Sequence, residues 1–111
     1  MAEMMEKLPC KYLGGFVEWT AEREGHIADN HPDLMPAHRG KIAETLADPD
    51  QVRRSVRLGS ARLFSRWFSG VKGGKHVVVV VVSDVAKQRH WIITAYIARK
   101  LAEGELEWKK N

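Results

Sequence analysis

The chain has 111 residues, a single cysteine, and a formal net charge of +4 from 18 Lys and Arg against 14 Asp and Glu. That length supports one hydrophobic core and excludes two ordinary domains, so a single domain over residues 1–111 is expected. Cys10 alone excludes an internal disulfide and any zinc site built on paired cysteines, which makes a reducing cytoplasm the expected compartment.

Met1 to Lys7 mixes acidic and polar residues without an apolar run ending in small residues, so no secretory signal is expected. Lys11 to Trp19 sets Tyr12, Leu13, Phe16, Val17 and Trp19 around Gly14-Gly15, the pattern of a short extended lead-in with a turn. Thr20 is placed to cap a helix whose first turn carries Glu22 and Glu24 at its positive end. That helix should run to about Asn30, because Pro32 disfavours helical geometry at His31. A second helix is expected over Pro36 to Ala47, where Ile42 and Leu46 are four apart and Lys41, Glu44 and Thr45 cover the outside.

Beyond Asp48-Pro49-Asp50 the apolar pattern changes from helical to alternating. Gln51 to Val56 reads as a strand with Val52 and Val56 on one face, followed by a turn at Leu58-Gly59-Ser60. Ala61 to Ser69 is a second strand in which Arg62, Phe64, Arg66 and Phe68 share one parity and Leu63, Ser65 and Trp67 the other. Both parities carry apolar groups, so the alternation leaves open which face is buried. After a glycine-rich loop at Gly70 to Gly74, Lys75 to Ser83 forms the third strand, and its valine run implies burial on both faces in a central position. Val77 to Val82 is too short to cross a bilayer, which takes about 20 residues in a helix. In the fourth strand, Arg89 to Arg99, Thr94 and Tyr96 share a face and stand about 6 to 7 Å apart. Glu105 to Lys109 alternates Leu106 and Trp108 with charges, which fits a short edge strand or the end of a helix begun at Ala98, and Gly104 favours the strand. The expected fold is α+β, with two N-terminal helices packed on one face of a four- to five-stranded antiparallel sheet whose other face is open.

The basic excess favours encounter with phosphate-bearing polymers. Histidine suits proton transfer near neutral pH, since its reference pKa is about 6.5. His26 and His31 are the candidates; their spacing sets them about 140° apart on a helix, which is poor for a shared metal. Arg62 and Arg66 would form a cationic stripe whose planar forks match phosphate oxygens. Phe64, Trp67 and Trp91 could offer ring faces to bases, but such aromatics are more often core, which is the expectation for Trp91, while Phe64 is open. The chain lacks a glycine-rich phosphate loop, a Gly-x-Ser-x-Gly elbow and clustered carboxylates in the sheet region, which disfavours ATP hydrolysis, serine hydrolysis and two-metal nuclease chemistry. No metal and no cofactor is expected.

Taken in order, His26-Ile27, His31-Pro32, Ile42-x-x-Thr45-Leu46-x-Asp48-Pro49-Asp50-x-Val52, Phe64-Ser65-Arg66, the valine run and Ile93-Thr94-Ala95-Tyr96 resemble a known superfamily. It is the ribonuclease superfamily that groups barnase, EndoU, colicin-type and RelE-like toxins, in particular its phage-associated branch. The resemblance covers most of the chain from Trp19 to Tyr96 and rests on the order and spacing of the pieces. It implies an active face on the sheet and metal-independent cleavage of RNA, with the ribose 2′-OH attacking the adjacent phosphorus to leave a cyclic phosphate. It further implies His31 or His26 as acid or base, Arg66 and Arg62 holding the phosphate, Thr94 and Tyr96 orienting it, and Phe64 near a base. RNA is then the partner, together with an acidic immunity or antitoxin protein if the chain is a toxin, and no membrane is involved. A non-catalytic nucleic-acid-binding module of the same fold and a protein-interaction subunit remain alternatives.

Overall fold

Gly14 turns the chain back on itself near its start. In the computed structural model, which describes residues 5–101 and 103–111, strand β1 (Met5–Cys10) ends in a 3-10 turn at Lys11–Leu13. Gly14 follows at φ 73°, its N–H bonded to Lys11 O at 3.0 Å, and the chain returns antiparallel as β2 (Gly15–Thr20). A left-handed residue costs glycine little, so the reversal needs no other device. Residues 1–4, part of the stretch examined for a secretory signal, lie outside the described residues.

Thr20 then converts strand to helix. Its hydroxyl accepts from Arg23 N at 3.2 Å and caps α1 (Ala21–Asn30), whose end closes with His31 N on Ile27 O at 2.7 Å. Helix α2 covers Gly40–Ala47 rather than starting at Pro36, because residues 32–39 form successive turns held on the core by buried Leu34 and Met35. The remaining strands are β3 (Gln51–Arg54), β4 (Ala61–Phe68), β5 (Lys75–Asp84), β6 (Arg89–Ala98) and β7 (Glu105–Lys109).

These strands form one sheet in the order β1-β2-β6-β5-β4-β3-β7. The expectation of a four- to five-stranded antiparallel sheet is therefore wrong in both number and direction. Seven strands take part, and β2 joins β6 in parallel through Glu18 and Trp91. The error has two physical sources. The N-terminal hairpin is short, glycine-broken and carries Pro9 on an edge strand, where a missing N–H is tolerated. The parallel pairing links segments far apart in the chain, so no local period announces it.

Register assigns every side chain to a face. Val52, Phe64, Val79 and Ala95 lie in one row across β3 to β6, and all four are fully buried. They belong to the main core with Val77, Val81, Ile27, Ile42 and Leu46, between sheet and helices. The neighbouring row, Gln51, Ser65, Val78 and Tyr96, points to the other, helix-free face. There a smaller cluster joins Ala61, Leu63, Val78 and Val80, flanked by Tyr96 and Leu101. Val77 to Val81 are thus buried on both sides of a central strand, each contributing about 1.5–3 kcal/mol of apolar transfer.

Where β2 stops, α1 takes over the flank of β6. The Arg23 guanidinium donates to Ile93 O from Nε at 2.9 Å and Nη2 at 2.5 Å, beside the register shift between β5 and β6. No helix among the described residues is long and apolar enough to cross a membrane.

Candidate functional site on the helix-free face

Two elements bring the first pair of polar side chains together. Because α1 packs along β6 and ends beside it, the His31 ring lies 6.0 Å, centre to centre, from the Tyr96 ring at a tilt of 39°. The Tyr96 hydroxyl donates to Glu103 Oε2 at 3.3 Å. Burial, then the charge and hydrogen bond of Glu103, push this phenol up to about 12. It is consequently a proton-bearing donor throughout the neutral range.

A cavity of about 270 Å³ opens beside Tyr96, lined by Ser65, Arg53, Lys100 and Glu103 among others. Ser65 is 2 % exposed, and its Oγ has no hydrogen-bond partner among the described residues. A buried hydroxyl without a partner is costly, and one facing a cavity is a natural anchor for a polar ligand. Thr94, on the same face through its pairing with Val80, also leaves a buried Oγ1 without a partner among the described residues. Arg53 is held in place by Gln51 Oε1 at 2.8 Å and Gly104 O at 3.3 Å, while Lys100 is exposed. The cavity thus combines two cations, a phenol donor and an unfilled hydroxyl.

His31 stands beside Tyr96, and Thr94 shares the sheet face of Tyr96, but the other candidates do not join them. His26 pairs with Asn30, whose Nδ2 donates to the His26 carbonyl at 2.8 Å and lies 3.3 Å from its Nδ1. Arg62, Phe64 and Arg66 sit opposite Val81, Val79 and Val77, on the helix side of β4. Phe64 is 0 % exposed and meets Tyr12 edge-on at 5.8 Å, so a base-contacting role for it is corrected to a core role. Arg66 donates to Glu44 O at 3.4 Å, lies 3.9 Å from Asp48 and covers the Phe68 ring. Arg62 Nε donates to both Glu107 oxygens at 3.1 Å. Neither arginine shares a face with Tyr96, so the expected joint grip on one phosphate is also corrected.

Sequence reasoning does not single out Arg53, Ser65 and Lys100, because the alternation in β4 leaves its burial direction open. The signal was present in β3, where Val52 is the one apolar residue of Gln51–Arg54. Pairing Val52 inward across the turn carries Phe64 in and turns Ser65 and Trp67 out.

A second concavity of about 590 Å³ lies at the other end of β5 and β6, lined by Tyr12, Phe16, Arg62, Ser83, His90 and Glu107 among others. Ser83 Oγ and His90 Nδ1 are 2.7 Å apart there. Burial and then the Arg62 charge lower the His90 pKa below the ordinary imidazole range, which favours the neutral ring. Among the described residues, no group of three or more His, Cys, Asp or Glu side chains is arranged to hold a metal ion. No protein-family model, no curated protein and no solved structure matches this chain.

Proposed function

We propose that this chain binds single-stranded RNA on its helix-free face and cleaves it by metal-independent transesterification. The observation that carries the reading is the His31 imidazole beside the Tyr96 phenol, next to a cavity with an unpartnered Ser65 hydroxyl. In this mechanism a base removes the ribose 2′-OH proton and the 2′ oxygen attacks the adjacent phosphorus. The bond from phosphorus to the 5′ oxygen breaks, and an acid protonates the departing oxygen. The products are a 2′,3′-cyclic phosphate and a 5′-hydroxyl end. His31 serves one of the two proton-transfer roles. Tyr96 exchanges its bond to Glu103 for one to a phosphate oxygen, and Arg53 and Lys100 offset the developing charge. The resemblance of the motif order to that of the barnase, EndoU, colicin and RelE-like ribonucleases supports the same reading, and an acidic inhibitor covering Arg53 and Lys100 would be its regulatory partner.

Binding without turnover is the second reading. It is favoured by Arg62 and Arg66, which are committed to acceptors on the opposite side of the sheet. Incubation of the purified protein with total RNA in chelator between about pH 5 and 8 separates the two. New cyclic-phosphate ends, lost in His31→Ala, are the expected result. Intact RNA retained in a salt-dependent way assigns the binding module, and no retention at low salt refutes both readings.

A further inference from the structure

One aromatic ring on the helix-free face is fixed on one side and open on the other. Trp67 lies one row beyond Ser65 on β4, opposite His76 on β5, which in turn pairs with Ala98 on β6. The His76 ring meets it edge-on at 5.0 Å and 73°. Gly74 packs so closely that a Cβ built on it would lie 2.5 Å from Trp67 Cζ2. The Trp67 N–H donates to Asp50 Oδ2 at 2.7 Å, which also fixes the backbone. Yet Trp67 remains 48 % exposed. A large apolar surface left in water on a ring already immobilised is the arrangement that binds a flat partner with little further ordering cost.

We infer that Trp67 is a stacking platform for a nucleobase of single-stranded RNA, forming a subsite outside the cavity bordered by Ser65 and Tyr96. This inference rests on the RNA reading above and names where the strand runs. Trp67 and Tyr96 are two strands and one row apart, about 12 Å from the spacings of a pleated sheet. That exceeds the rise of about 3.4 Å between stacked nucleotides, so the base on Trp67 lies farther along the strand than those flanking the reacting phosphate. Charge argues for a polyanion as occupant. Lys109 stands opposite Gln51 in the Ser65 row on one side of Trp67, and Arg99 and Lys100 follow Ala98 on the other. All three are exposed, and none has an ion pair among the described residues. The acidic groups nearby are engaged, Asp50 on the Trp67 amide and Glu103 on Tyr96. Stacking tolerates any base because every base has a π face, so the subsite adds affinity without strict sequence preference.

The test titrates labelled 2′-O-methyl RNA of ten nucleotides, which cannot be cleaved, against the intact chain at low salt, read by anisotropy. Trp67→Ala weakens binding by about 5- to 150-fold, and Trp67→Phe, which keeps a ring, recovers most of it. Intrinsic fluorescence is quenched by the oligonucleotide in the parent and not in Trp67→Phe, a readout independent of how well the alanine variant folds. Parental affinity and quenching in both Trp67 variants overturn the subsite and leave the RNA reading standing. Equal competition by a duplex of the same sequence also overturns it, because paired bases have no free face. A parent that binds no oligonucleotide overturns the RNA reading itself, and the subsite with it.

Discussion

Replacing Gly74 by alanine probes the seat of Trp67 directly. Gly74 sits at φ 109°, a conformation that L residues rarely adopt, and forcing one there costs about 1–3 kcal/mol. The added Cβ would also lie 2.5 Å from Cζ2 and 3.1 Å from Cη2 of Trp67, so the indole must slide off its support. Lost or strained packing of that kind is worth about 1 kcal/mol more, for a total of about 2–4 kcal/mol. Gly73→Ala is the matched control: it sits at φ 76° but has no atom within 4 Å of its would-be Cβ, so it carries only a backbone penalty of about 1–2 kcal/mol. Urea unfolding followed by circular dichroism and tryptophan emission measures both. With a slope of about 1–3 kcal/mol per M, the Gly74 variant should lose on the order of 1 M or more in midpoint. Its native emission should shift, and that of the Gly73 variant should not. A Gly74→Ala protein no less stable than Gly73→Ala, with parental emission, would refute the idea that the glycine holds the ring.

Other consequences follow from the same geometry. His31→Ala should lower RNA cleavage by about 10²- to 10⁴-fold in initial-rate assays, and a smaller loss would remove it from the proton-transfer role. Ser65→Ala should leave the thermal midpoint equal to the parent's or higher, because the deleted hydroxyl has no partner, while reducing oligonucleotide affinity; a marked loss of stability would show the hydroxyl to be bonded. Glu107→Gln should cost about 1–2 kcal/mol in urea, since its carboxylate accepts from Arg62 and both side chains are less than a third exposed. Its own burial raises the Glu107 pKa, yet the Arg62 bond and charge, Tyr12 and Arg54 together hold it below the ordinary value. Glu24 is held below 4.5 by its hydrogen bond to Arg39, so its contribution is complete above 4.5 and lost as the pH falls through the depressed value. Denaturation curves from neutral pH downward should therefore show a shallower acid decline in Glu24→Gln than in the parent, and parallel curves would contradict the assignment.

How far the sequence spoke depended on whether a feature was local. Thr20 as a cap, α1 ending by Asn30, the doubly buried valines and the Glu105–Lys109 edge strand all follow from neighbouring residues, and all appear. The β4 strand shows where local reading stops. Its two parities look alike because Phe64 and Phe68 share one with Arg62 and Arg66, while Leu63 and Trp67 share the other with Ser65. Only pairing with Val52 and Val79 decides that the phenylalanines face in and carry the arginines with them. The meeting of His31 with Tyr96 needed the end of α1 and the far half of β6 to be neighbours. Their motif order hinted at this, but the route, with α1 completing a flank that β2 leaves uncovered, was not in the pattern.

The parallel join between β2 and β6 sets a timetable for synthesis. Glu18 leaves the ribosome well before its sheet neighbour Trp91 is made. Until then the β1–β2 hairpin can pair with itself alone, and isolated two-stranded hairpins are marginal in water. The hairpin must therefore wait for β6, and Arg23 gains the Ile93 carbonyl only then. Closing so long a loop is an entropic toll that slows folding. Nascent chains arrested before residue 89 should accordingly expose the hairpin to proteases, and chains that include all of β6 should protect it.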